Sequence, residues 1–95
     1  MAAEAKVGHR AQRTQDHGTI RSWAEARGGK PSMVEGTEIL RFDFGPREEN
    51  LKPVPWDEFF RVFDDRGLDF LYQDKTEDGK QSRFFKFVES GAEED

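Results

Sequence analysis

Apolar side chains recur at helical spacing twice along this chain. Ile20, Trp23 and Ala24 fall at i, i+3 and i+4, and Trp56, Phe59, Phe60 and Phe63 at i, i+3, i+4 and i+7. Each set forms a single stripe of the kind that faces a core. The first predicts a helix over about 16–27. Asp16 stands where a carboxylate accepts from exposed first-turn amides, Gly28–Gly29 supplies a left-handed stop, and Pro31 prevents resumption. The second predicts a helix over about 56–65, with Asp57 and Glu58 beside the positive end of its dipole and Gly67 at its exit.

Elsewhere the period changes to two. Leu40, Phe42 and Phe44 alternate with Arg41 and Asp43, which predicts a half-buried strand within Glu38–Phe44. Ser32–Glu35 reads as a short partner strand, reached through a tight turn at Gly36–Thr37. Leu68–Gln73 and Ser82–Val88 read as two strands of an antiparallel hairpin whose loop contains Asp78–Gly79. In the last of these, Phe85 and Phe87 share one face while Phe84, Lys86 and Val88 share the other. The sheet therefore has apolar groups on both sides, and the surplus face is either covered or an interaction surface. Gly45–Pro55, rich in proline and charge, reads as a loop.

The resulting order is α-β-β-α-β-β, an α+β domain with two helices packed on an antiparallel sheet of three or four strands. Aligning Arg27–Gly28 with Arg66–Gly67 sets Ile20, Trp23 and Ala24 opposite Phe59, Val62 and Phe63. Three such matches are within the reach of chance, so the order is read without an internal repeat.

Composition narrows this further. Ninety-five residues make one small domain, near the lower edge of what a single apolar core can hold together. The chain is 37% charged and only 34% hydrophobic, and most of its aromatic residues lie between Trp56 and Val88. Residues 1–15 and 90–95 read as solvated tails, the second acidic, flanking a domain over 16–89. Zero cysteines exclude disulfides and thiolate chemistry. No run approaches a membrane span and the start lacks a secretory signal, so a cytoplasmic protein without a membrane partner is expected.

The candidate chemistry is sparse. Asp74–Gly79 has the opening spacing of a calcium loop, but the position that needs a bidentate carboxylate is Phe85, so it reads as a hairpin loop and no metal is expected. Asp64, Asp65 and Asp69 read as solvated acids around the end of the second helix, rather than as a pair tuned for acid–base work. His9 falls in the tail. His17 lies beside Asp16, and a small hydrolase would need it in a pocket with Asp16 or with a serine such as Ser22 or Ser82, yet no strained nucleophile turn is present. Arg21, Arg27 and Lys30 surround the first helix and are the set available for phosphates. Against that use, Glu25 shares the helix and no aromatic row on the strands is flanked by bases.

The reading is therefore a non-catalytic protein-binding or regulatory accessory domain, with no catalytic residue and no cofactor. Its partner surface is placed at Tyr72, Arg83, Phe84 and Lys86. The alternatives are a nucleic-acid-associated protein using Arg21, Arg27 and Lys30, and a small hydrolase built on His17.

The run from Asp16 to Pro31 (DHGTIRSWAEARGGKP) resembles the start of a family of small, uncharacterised bacterial proteins. The similarity continues through Val34, Gly36, Leu40–Phe44, Trp56–Phe60, Leu68–Asp74 and Ser82–Phe84, covering about residues 16–88. The family implies no established activity. Some members carry a glucan-branching-enzyme label, but that catalysis is associated with a barrel domain more than twice this length. The family tends to place Ser before Trp-Asp-Glu, forming a capping box, where this chain has Pro55. A shorter similarity links Ile20–Ala24 to the DNA-binding domain of certain bacterial nucleoid proteins, without their Arg-Gly-Arg groove-reading element.

Overall fold

The computed structural model of the chain describes residues 11–45 and 50–90. The elements are β1 (Gln12–Thr14), α1 (His17–Ala26), β2 (Lys30–Val34), β3 (Leu40–Asp43), β4 (Leu51–Pro53), α2 (Trp56–Asp65), β5 (Leu68–Tyr72) and β6 (Phe85–Glu89). Both helices form where the apolar stripes place them. The Asp16 carboxylate accepts from the Thr19 amide at 2.8 Å and opens α1, whereas α2 opens on Pro55 with no side-chain cap. Gly28 and Gly67 leave the helices at φ of 74° and 61°, a region only glycine enters without strain.

The α+β architecture follows, with its strands divided into two antiparallel three-stranded sheets, ordered β1-β5-β6 and β3-β2-β4. Two of the strands lie where none was expected. Gln12–Thr14, placed by its polarity in the N-terminal tail, pairs with β5, and Arg13 Nε donates to the Asp69 carboxylate at 2.7 Å. Leu51–Pro53, inside the expected loop, pairs with the edge of β2. Proline is tolerated there because an edge strand needs fewer ladder donors. The rest of the two expected tails, residues 1–10 and 91–95, lies outside the described residues.

The chain does contain an internal repeat, contrary to the sequence reading. One constant offset carries Gln12–Thr14 onto Leu51–Pro53 and His17–Ala26 onto Trp56–Asp65. Each half runs β-α-β-β, and the first strand of each half completes the sheet of the other. The buried residues of the helices are Ile20, Trp23 and Ala24 in one and Phe59, Val62 and Phe63 in the other, the positions the alignment had matched. With β1, β5 and β6 of one sheet matched to β4, β2 and β3 of the other, the strand order is palindromic about the junction of β6 with β3.

The helices and the inner faces of both sheets enclose one core. Phe59, Phe63, Phe70, Ile20, Leu40 and Val62 are almost fully buried. Phe42 is central to it, with its ring within 6.0 Å of Trp23, Trp56, Phe59, Phe70, Phe85 and Phe87. These rings come from both helices and both sheets. Burying one such side chain contributes about 1.5–3 kcal/mol. Among the described residues no helix is long and apolar enough to cross a membrane.

Candidate functional site

The junction between β3 and β6 is the least complete part of the fold. The two strands are edges of different sheets and are not hydrogen-bonded to one another. Their rings nevertheless touch: Phe42 lies 5.2 Å from Phe85 and Phe44 lies 6.0 Å from Phe85. Arg83 then places its guanidinium over Phe44 at 5.2 Å. Rising numbers on β3 thus meet falling numbers on β6, and the edges run antiparallel.

Ladder geometry shows which backbone groups face this junction. Val34 N–H donates to Ile39 C=O at 2.9 Å, so the hydrogen-bonded pairs of β2 and β3 are Val34–Ile39, Ser32–Arg41 and Lys30–Asp43. Leu40 and Phe42 consequently turn their N–H and C=O groups away from β2. On the other side, Gln73 N–H donates to Phe84 C=O and Ser90 N–H to Gly67 C=O. Lys86 and Val88 therefore bond to β5, and Phe85 and Phe87 turn their backbone outward. Of the groups facing the junction, the Leu40 carbonyl accepts from Arg41 Nη1 at 3.0 Å.

Between these edges lies a cleft of about 320 Å³, lined by Ile39, Leu40 and Arg41 on one wall and Phe85, Lys86 and Phe87 on the other, with Arg66 and Leu68 at one end. The floor is apolar and the rim is basic. The two exposed large hydrophobic residues among those described, Ile39 at 42% and Phe84 at 46%, directly precede the two edge strands. Ile39 lines the cleft, and Phe84 stands just before its lining residue Phe85.

The residues expected to form a partner surface are partly brought together. Arg83, Phe84 and Lys86 gather at the start of β6. Tyr72 does not join them: its ring stacks on Phe70 at 5.3 Å and lies 6.4 Å from Trp23, against the core on the opposite face. Strand alternation accounts for this, since Tyr72 is paired with the inward-facing Phe85.

The three basic residues around α1 do not form one surface. The side chain of Arg27 is only 3% exposed and is consumed internally. It donates to the carbonyls of Trp23, Asp74 and Ser82 and lies over the Trp23 ring at 4.4 Å. Arg21 pairs with Glu25 at 2.9 Å and covers Trp56, while Lys30 stands exposed on β2. Arg27 was legible as buried: it falls seven residues after Ile20, on the helix's own apolar stripe.

His17 lines an open groove between the helices with Arg21, Trp56, Phe60 and Asp64. Its ring stacks on Phe60 at 4.0 Å, and its Nε2 lies 2.9 Å from the Asp64 carboxylate. Neither Ser22 nor Ser82 lines that groove, and the Ser82 hydroxyl donates instead to the Gln73 side chain at 2.8 Å. Asp69, expected as a solvated acid, is buried and bound to Arg13. Among the described residues no group of three His, Cys, Asp or Glu is placed to hold a metal ion.

Among the described residues, Asp16 is the one group with a clear electrostatic signature. Hydrogen bonds from the Thr19 hydroxyl, and then from the Thr19 amide, hold its carboxyl below the usual value. It serves the start of α1.

No protein-family model, no curated protein and no solved structure matches the chain.

Proposed function

We propose that this domain is a non-catalytic protein-binding module that acts as an accessory or regulatory element, in the cytoplasm. The observation that carries the reading is the placement of Phe84 and Ile39. Both are large apolar side chains left in water: Ile39 lines the basic-rimmed cleft, and Phe84 immediately precedes its lining residue Phe85. Scattered apolar residues on a surface need no explanation, but two beside one unfinished junction of sheets support reading it as a contact site.

A photo-crosslinking amino acid at position 84 tests this in cells of the source organism. A discrete protein adduct is expected from position 84 and none from position 61, on the far side of α2. Equal labelling from both positions, or none from either, overturns the reading.

A further inference from the structure

We propose that the cleft between β3 and β6 accepts an extended acidic peptide as an added β-strand. This rests on the protein-binding reading and names its site and ligand chemistry.

The first support is the backbone. Each wall turns main-chain groups into the cleft, those of Leu40 from β3 and those of Phe85 and Phe87 from β6, and the Phe42 backbone faces the same junction beyond its lining. Exposed edges are the usual templates for strand addition, in which main-chain bonds supply affinity and alternate side chains supply selectivity. A strand inserted here meets partners on both sides, antiparallel to one wall and parallel to the other. Its inward side chains rest on Leu40, Leu68, Phe85 and Phe87, and its outward ones meet the rim.

The second support is charge, and it selects the occupant. Among the described residues, Arg13, Arg21, Arg27 and Arg61 each meet a carboxylate of this chain, at 2.7, 2.9, 3.2 and 3.3 Å. Arg41, Arg66 and Arg83 meet none; Arg41 and Arg66 line the cleft, and Arg83 lies two residues before its lining residue Phe85. Arg41 and Arg66 donate instead to the carbonyls of Leu40 and Glu38, and Arg83 lies over Phe44. In a chain of net charge −5, the arginines without carboxylates among the described residues lie in or beside one seam. Guanidinium groups arranged so are the complement of carboxylates on an incoming strand.

The test uses the full chain and three capped pentapeptides: Glu-Val-Glu-Val-Glu, its Lys-Val-Lys-Val-Lys counterpart, and the acidic peptide carrying N-methylvaline at both valines. Titration followed by amide NMR is expected to shift Leu40, Phe42, Phe85 and Phe87 with the first peptide alone. The double variant Arg41→Glu, Arg66→Glu is expected to weaken binding by about tenfold or more. The milder Arg41→Gln, Arg66→Gln pair gives the same direction should charge reversal disturb folding.

Equal binding of the acidic and basic peptides, full retention with N-methylvaline, or shifts confined to other surfaces overturn the strand proposal. So does the lack of any binding. A crosslinked partner at position 84 together with any of these results leaves the protein-binding reading standing and removes only the strand mode. Failure of the crosslink removes the reading beneath it.

Discussion

Arg27 closes α1 and Arg66 closes α2, at equivalent places in the two halves of the molecule. Each reaches into the hairpin loop of the other half: Arg27 to the carbonyls of Asp74 and Ser82, Arg66 to that of Glu38. The loops differ. The connection from β5 to β6 is long, folds on itself through Thr76 and Lys80, and covers Arg27. The connection from β2 to β3 is a short turn around Gly36 that leaves Arg66 in water. One end of the repeat is thus sealed by its own chain, and its counterpart is left open beside the cleft. In a duplicated architecture, the positions where the halves stop agreeing are where to look for a task beyond folding.

The contrast can be broken at its shared floor. Phe42 joins the helices to both sheets, and at the β3–β6 seam its ring stands in for missing hydrogen bonds. Phe42→Ala is expected to cost about 3–5 kcal/mol in denaturant unfolding. A loss below about 1 kcal/mol would mean that the seam is held by something else.

The arginines themselves come next. Arg27→Met strands buried carbonyls and is expected to cost about 2–3 kcal/mol. Arg66→Met is expected to stay within about 0.5 kcal/mol, as for most exposed substitutions. Parallel urea titrations compare the two, and equal losses would erase the distinction between the sealed and open ends.

The smallest expected effect concerns the helix starts. Asp16 and Pro55 are equivalent, yet only Asp16 carries a titratable cap. Its folded pKa lies below the unfolded one, so its contribution is present above the unfolded carboxylate value, near 4. That contribution is lost as the pH falls through the folded value. In acid unfolding followed residue by residue, Asp16→Asn is expected to flatten the response of α1 in this range and leave α2 unchanged. An unaltered α1 profile would show that the cap carries no pH dependence.

Much of this was legible in the residues. The helix stripes, the Asp16 cap, the glycine exits and the inward face of Phe85 and Phe87 follow from spacing and elementary stereochemistry. β1 and β4 were not, because Gln12–Thr14 and Leu51–Pro53 have no usable period and are strands only through partners more than a dozen residues away. The cleft was hidden for the same reason: it exists only once the six strands divide into two sheets. Of the residues proposed for a partner surface, Phe84 and Lys86 came from strand alternation, whereas Ile39 and Arg41 on the facing wall and Arg66 at the end of the cleft needed the tertiary arrangement.

The exchange of first strands also orders events in time. A ribosome that has released the chain only through β3 has delivered the helix and hairpin of one half. The β4 strand that flanks that hairpin, and the β5 strand that pairs with β1, are still to come. The sheet of β3, β2 and β4 can close once Leu51–Pro53 has followed, whereas β1 must wait for β5 and β6, so the first strand to emerge is among the last to find its partner.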